Sequence, residues 1–308
     1  MNPIRSLALM AALLLGGPAL APGALAQDRG TLAPKPLPPL ANPNDPKLAA
    51  KELFGRSVAP ASLQARAIGS YARGCVAGAT AIPVDGDTWQ VMRLSRNRNW
   101  GHPQLIALLQ RLSARMPEIN GWPGLLIGDI SQPRGGPMIT GHASHQIGLD
   151  ADVWLTPMPQ RRLSRLEREE MSATNVVRGD WLDVDPAVWT PQHTALIRAA
   201  AQERGVARIF VNPAIKKALC REAGPDRGWL AKVRPTWGHN YHFHIRIACP
   251  AGDPVCSDQD PPPGGDGCGA DLARWFTPEM LRPKPGKPRP PLTLAQLPDE
   301  CRRVLAAP

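Results

Sequence analysis

The spacing of apolar residues changes period several times along the chain, and each change predicts an element. Leu105, Leu108, Leu109 and Leu112 recur every three or four residues, which predicts a helix that Pro117 closes. Residues 160–172 and 191–204 also read as helices, the second stopped by Gly205. A short apolar run over 124–130, bounded by turn residues, reads as a strand, as does 207–211. Two further stretches alternate. Leu149, Ala151, Val153 and Leu155 face one way, opposite Asp150, Asp152 and Trp154; Tyr241, Phe243, Ile245 and Ile247 lie opposite His242, His244 and Arg246. Helices and strands mix without a βαβ rhythm. The expected class is therefore α+β: a small antiparallel sheet with flanking helices and long irregular loops.

The two ends depart from this patterning. Residues 1–26 carry Arg5, an apolar run over 7–15 and the small-residue site Ala24-Leu25-Ala26, the grammar of a cleaved secretory signal peptide. That run is too short to span a bilayer, and no transmembrane anchor is expected. Residues 27–60 are a Pro-rich leader with little periodicity, and 257–308 form a Pro-rich tail unable to build a core alone. Between them, 61–256 is read as one domain. Losing Arg5 with the signal lowers the formal charge from +10 to +9. A basic exported chain suits an anionic partner; its scattered Lys and Arg form no nucleic-acid-reading stripe, so no nucleic acid is expected.

Six cysteines, Cys75, Cys220, Cys249, Cys256, Cys268 and Cys301, with no Cys-x-x-Cys among them, point in an exported protein to three disulfides, with fifteen possible pairings. Cys249 and Cys256 flank a turn-rich loop that a local bridge could close.

Five of the seven histidines fall in two short windows, while His102 and His193 stand apart and read as surface or core residues. The first window runs from Gly141 through His142 and His145 to Asp152, from a glycine-flanked loop into an alternating strand. The second is Trp237-Gly-His-Asn-Tyr-His-Phe-His244. On a strand, side chains at i and i+2 share a face, so His242 and His244 point together while Phe243 anchors the other side. Catalytic zinc takes three imidazole or carboxylate ligands and keeps a fourth place open. His145, Asp152 and His244 meet that count, with His242 or His239 spare as general base or oxyanion donor. Trp237, Trp154 and Tyr241 are candidates to shape a groove. No His-Glu-x-x-His, Gly-x-Ser-x-Gly, phosphate-binding loop, Ser-x-x-Lys or Lys-Thr-Gly occurs. A cell-wall hydrolase without those serine elements would ignore β-lactams.

At Ser144-His-Gln-x-Gly-Leu-Asp-x-Asp152 and Trp237-Gly-His-x-Tyr-His-Phe-His244 the chain resembles the penicillin-insensitive murein endopeptidases, relatives of lysostaphin-type enzymes, D-Ala-D-Ala metallopeptidases and the hedgehog signalling domain. The resemblance spans roughly residues 60–302. It implies a hedgehog/D-Ala-D-Ala-peptidase-like fold, zinc on His145, Asp152 and His244, and His239 and His242 as catalytic histidines. It further implies a second metal position on His142, Asp180 and Asp183, and nested disulfides 75–301, 220–268 and 249–256. The implied substrate is the D-alanyl–diaminopimelyl cross-link of peptidoglycan, in the periplasm. A D,D-carboxypeptidase on the same site and a non-catalytic zinc-retaining murein-binding module are the rivals.

Overall fold

The computed structural model describes residues 29–282 and 290–308, so the expected signal peptide lies outside the described residues. The chain is α+β, as its patterning predicts, and is organised on a six-stranded sheet. The strands lie in the order Trp89–Val91, Leu125–Ile127, Asp150–Trp154, His242–Ile247, Val206–Val211, Val233–Pro235. The centre is antiparallel, while both edge pairs run parallel.

The alternation in the two central strands sets the chemistry. Ala151, Val153, Phe243 and Ile245 are fully buried in one core with Leu105, Leu108, Leu109 and Leu112 of helix Pro103–Ala114 and Leu196 and Ile197 of helix Pro191–Gln202. Each of these side chains larger than alanine contributes about 1.5–3 kcal/mol by leaving water, which fixes the register of the strands. With Phe243 and Val153 paired on the core side, the intervening residues must face the other way. His244 then falls directly opposite Asp152, and Arg246 opposite Asp150.

Several boundaries differ from the sequence expectation. Pro117 does not end the chain's helical course; it sits in the first turn of a short following helix, Met116–Ile119, where a missing N–H costs nothing. The helix expected over 160–172 is confined to Arg165–Glu170. Ser164 starts it, because its hydroxyl accepts from Glu167 N–H and the Glu167 carboxylate accepts from Ser164 N–H, leaving 160–163 outside. The strand expected over 124–130 shortens to Leu125–Ile127.

His102 and His193 do structural work. His102 Nδ1 caps helix Pro103–Ala114 by accepting from Gln104 N–H. His193 Nδ1 accepts from Thr190 N–H, so its Nε2 donates to Leu155 O at 3.0 Å.

A second core joins the two chain ends: Phe54 from helix Ala50–Phe54 packs with Ile68, Leu297 and Val304 around the Cys75–Cys301 disulfide. Arg134 donates to the carbonyls of Val304, Leu305 and Ala307, and so caps helix Glu300–Ala306 with a positive charge. The other bridges are Cys220–Cys268 and Cys249–Cys256, the nested set the resemblance implies. Closing 226 residues, the first bridge removes about 5 kcal/mol of unfolded-chain entropy in the loop-closure model. Three such bridges belong to an oxidising compartment. Among the described residues no helix is long and apolar enough to cross a membrane.

Candidate metal centre

The polar face of the two central strands and the loop before them gather the histidines. Asp152 is the hub. His145 Nε2 lies 3.5 Å and His244 Nδ1 3.6 Å from its Oδ1, while His142 Nε2 and His242 Nε2 lie 3.5 and 3.6 Å from its Oδ2. His142, His145 and Asp152 each offer a donor atom within 4.8 Å of the other two. His239 completes the group, its ring centroid 4.7 Å from that of His242 and 6.0 Å from that of His244.

Hydrogen bonds fix which ring nitrogens carry lone pairs. His145 Nδ1 meets the carbonyl of Ile130 at 2.5 Å; a carbonyl only accepts, so Nδ1 donates, and in the neutral ring Nε2 keeps its lone pair toward Asp152. His145 holds this pose with a left-handed backbone, φ 67°, a conformation that costs a non-glycine residue about 1 kcal/mol or more. Its N–H donates to Asp150 Oδ2 at 3.0 Å and stabilises that backbone. His244 is oriented in the same manner, with Nε2 donating to Asp150 Oδ1 at 2.8 Å and Nδ1 left aprotic toward Asp152. Carboxylates behind ligating imidazoles set tautomer and ring direction in metal sites.

Two aprotic nitrogens and a carboxylate oxygen thus converge on one point. His145 Nε2 and Asp152 Oδ1 are buried and have no hydrogen-bond partner, a costly state that a cation between them would relieve. The donor set, two imidazoles and a carboxylate, suits a divalent transition metal. The residues fit the group.

Electrostatics follow burial. Burial alone would raise the Asp152 carboxyl, yet His242, His142 and His145 hold it well below the usual carboxylate range. Burial pushes His242 down to about 3 and His244 down to about 4, so both imidazoles are neutral at pH 7. His142 moves the other way: burial opposes protonation, but Asp152 and Asp129 outweigh it. Burial also lowers His239, whose Nδ1 donates to Trp237 O at 2.8 Å and leaves Nε2 as an acceptor. Gly238 and His239, with φ of 66° and 53°, form the tight turn that brings this ring in, anchored by Asn212 donating to Gly238 O.

Asp180 and Asp183 are engaged elsewhere. Asp180 pairs with Arg178 at 2.7 Å, and Asp183 pairs with Arg221 and Lys217 at 3.2 and 3.3 Å. The acid beside His142 is instead Asp129, whose Oδ2 lies 3.1 Å from His142 Nε2, 3.0 Å from Arg96 and 2.8 Å from Arg98. Asp129, Asp150 and Arg246 were not singled out by sequence reasoning. The signal for Asp150 was present, since it shares a strand face with Asp152 two residues on. The signal for Asp129 was an acid ending an apolar run. A cleft of about 150 Å³ opens along this side, where Trp154, Tyr241, His142, Asp152 and His242 meet Arg93, Arg96 and Arg98. Trp237 packs instead against Trp275, with ring centroids 5.6 Å apart.

The family model for penicillin-insensitive murein endopeptidases matches residues 67–306. Proteins named penicillin-insensitive murein endopeptidase from Yersinia enterocolitica (47% identical over 246 residues), Haemophilus influenzae (47% over 247) and Klebsiella pneumoniae (46% over 248) each align with 80% of this chain. Those alignments cover 87%, 84% and 88% of the respective relatives. The chain is a peptidase and belongs to the penicillin-insensitive murein endopeptidase family.

Proposed function

We propose that this chain is a periplasmic zinc endopeptidase that hydrolyses the D-alanyl–meso-diaminopimelyl cross-links of peptidoglycan. The observation that carries the reading is the convergence of His145 Nε2 and His244 Nδ1 on Asp152 Oδ1, with both nitrogens aprotic by virtue of their outer hydrogen bonds. His145, Asp152 and His244 would hold the cation, with His142 beside them. A second cation on Asp180 and Asp183 would have to displace the basic partners of both acids.

A zinc ion held there supplies Lewis-acid polarisation of the scissile carbonyl and acidifies water. The protein's own groups do the rest. His242, neutral and buried, has an Nδ1 without a partner and an Nε2 facing Asp152, so it can accept a proton from the attacking water. His239 Nε2 stands ready as an acceptor or, once protonated, as the donor to the leaving amine. His145, Asp152, His242 and His244 are buried, which strengthens each of these interactions. Penicillin has no target in such a site, because no Ser-x-x-Lys serine is present to be acylated. The disulfides and the signal-like residues 1–26 support export to the periplasm.

Mass analysis of muropeptides before and after digestion of purified sacculi, with and without EDTA, tests the reading. Cross-linked dimers should fall to monomers, and EDTA should stop the conversion. Removal of a terminal D-Ala from monomeric pentapeptides with dimers left intact would overturn it in favour of a carboxypeptidase.

A further inference from the structure

The Pro-rich leader precedes residues 67–306, the part that matches the family, and still packs on the body. We infer that leader and body together enclose a substrate subsite beside the catalytic cleft, and that it takes the acidic stem peptide running away from the cleaved bond. The inference rests on the murein reading and deepens it. Murein stem peptides carry free carboxylates and the methyl groups of alanine, and contacts remote from the reacting bond can serve the reaction there.

The leader is held at both ends and in the middle. Gly30 N–H donates to Glu169 O at 3.0 Å, and Thr31 N–H donates to Ser95 Oγ at 3.1 Å. The approach is so close that a Cβ on Gly30 would lie 1.6 Å from Glu169 Oε2. Glu169 is itself buried and accepts from Ser95 N–H at 2.8 Å and Ser95 Oγ at 2.9 Å. Arg56 donates to Pro38 O at 2.7 Å, and Ala50 N–H donates to Leu292 O at 2.7 Å where the leader enters helix Ala50–Phe54. Between these anchors Pro34, Pro36, Pro38 and Pro39 lock their own φ and bias the residues before them toward extended backbone. A wall this stiff can bind without first being ordered.

The space behind the wall has its own shape, position and charge. Between Lys35 and Leu37 of the leader and Val58, Asn97 and Pro133 of the body lies a groove of about 760 Å³, large enough for a short peptide. Val58 is 81% and Leu37 39% exposed, so the groove offers uncovered apolar surface. It adjoins the catalytic cleft, since Arg96 of the turn Leu94–Arg96 lines both. Its charged lining is Lys35, Arg56 and Arg96, with no acid among the described residues there. Arg56 is engaged by Glu52 and Pro38 O, and Arg96 by Asp129. Lys35, exposed on the leader and without an ion-pair partner among the described residues, is the charge that an entering carboxylate meets. An acidic peptide complements this lining in charge and in polarity.

The test uses the whole chain and two substrates: a dimer with both stem peptides complete, and a short substrate cut back to the residues on either side of the cleaved bond. The double variant Lys35→Glu/Leu37→Asp puts two negative charges along the groove, at exposed positions where substitution should leave the fold and the melting temperature unmoved. It should raise KM for the dimer about tenfold, while KM for the short substrate moves by less than about twofold. Gly30→Val, which cannot seat against Glu169, should give a similar loss on the dimer, and Lys35→Arg should give none. Equal losses on both substrates, or no loss on either, would overturn the inference. So would an unchanged KM together with altered sedimentation, which would make the groove a contact between copies of the chain. Calorimetric binding of an uncross-linked stem peptide separates the two readings. A wild type that binds it and a double variant that does not, with dimers left intact by both, would sink the endopeptidase reading alone. Dimer cleavage indifferent to the double substitution would sink the leader subsite alone.

Discussion

Two buried carboxylates flank Asp152, and both hold a histidine and arginine side chains, yet they build different things. Asp150 is closed on every side. It accepts from His244 Nε2, from Arg246 at 2.7 and 3.2 Å, and from His145 N–H. Arg246 in turn lies 4.0 Å from the Tyr71 ring and 4.9 Å from Phe210, and donates to Gln259. His244 and Arg246 come from the strand paired with that of Asp150, so packing on the core side of the sheet sets their positions. Asp129 gathers its partners from loops and turns. Of these, His142 is 24% and Arg96 17% exposed at the side chain, and all three approach one oxygen beside an open cleft. Burial alone would raise both acids, and in both the neighbouring histidine and arginine side chains win and hold the carboxyl far below its ordinary range. Equal ionisation therefore does not mean an equal role. The strand-built acid fixes the geometry of the two nitrogens; the loop-built acid gathers His142, Arg96 and Arg98 at the edge of the cleft.

The comparison breaks most sharply at the cluster itself. His145→Ala, Asp152→Ala and His244→Ala should each remove bound metal and abolish sacculus hydrolysis together, read by elemental analysis alongside muropeptide release. Normal metal content with normal rate in His244→Ala would refute the ligand assignment. His242→Ala should keep the metal and lower kcat by about 10²–10⁴, as expected for a displaced proton acceptor. Next comes the strand-built acid. Asp150→Asn keeps the shape but weakens the hold on His244 and leaves Arg246 underpaired. Metal affinity, measured by chelator competition, should fall about 10–100-fold. An unchanged affinity in a folded Asp150→Asn protein would mean that the outer hydrogen bonds do not set the tautomers.

How much of this could be read from the residues alone follows the same division. The strand side was legible. Period-two alternation placed His242 and His244 on one face and Asp152 on another strand's polar face, because a slip of one residue would expose Phe243 and Val153. The α+β class came from the same patterning. The loop side was not. His145 and His239 reach the cluster through left-handed backbone, and Arg96 through a turn between two more such residues; no periodicity encodes those directions. Asp129 reads locally as the end of an apolar run, and its meaning comes only from Arg96, Arg98 and His142, all distant in sequence or in a loop. The polar pattern over 160–172 extends past helix Arg165–Glu170 because the Ser164 cap, reciprocated by Glu167, starts the helix later than periodicity alone implies.

The smallest expected effect sharpens the contrast from the loop side. Asp129→Asn removes one charge that two arginines and His142 share, but it touches neither aprotic nitrogen, since His145 is oriented by Ile130 O and Asp150 and His244 by Asp150. Metal affinity should change by less than about threefold, well short of the Asp150→Asn loss. A metal loss matching that of Asp150→Asn would show that both acids support the ion equally, and the division drawn between strand and loop would fail.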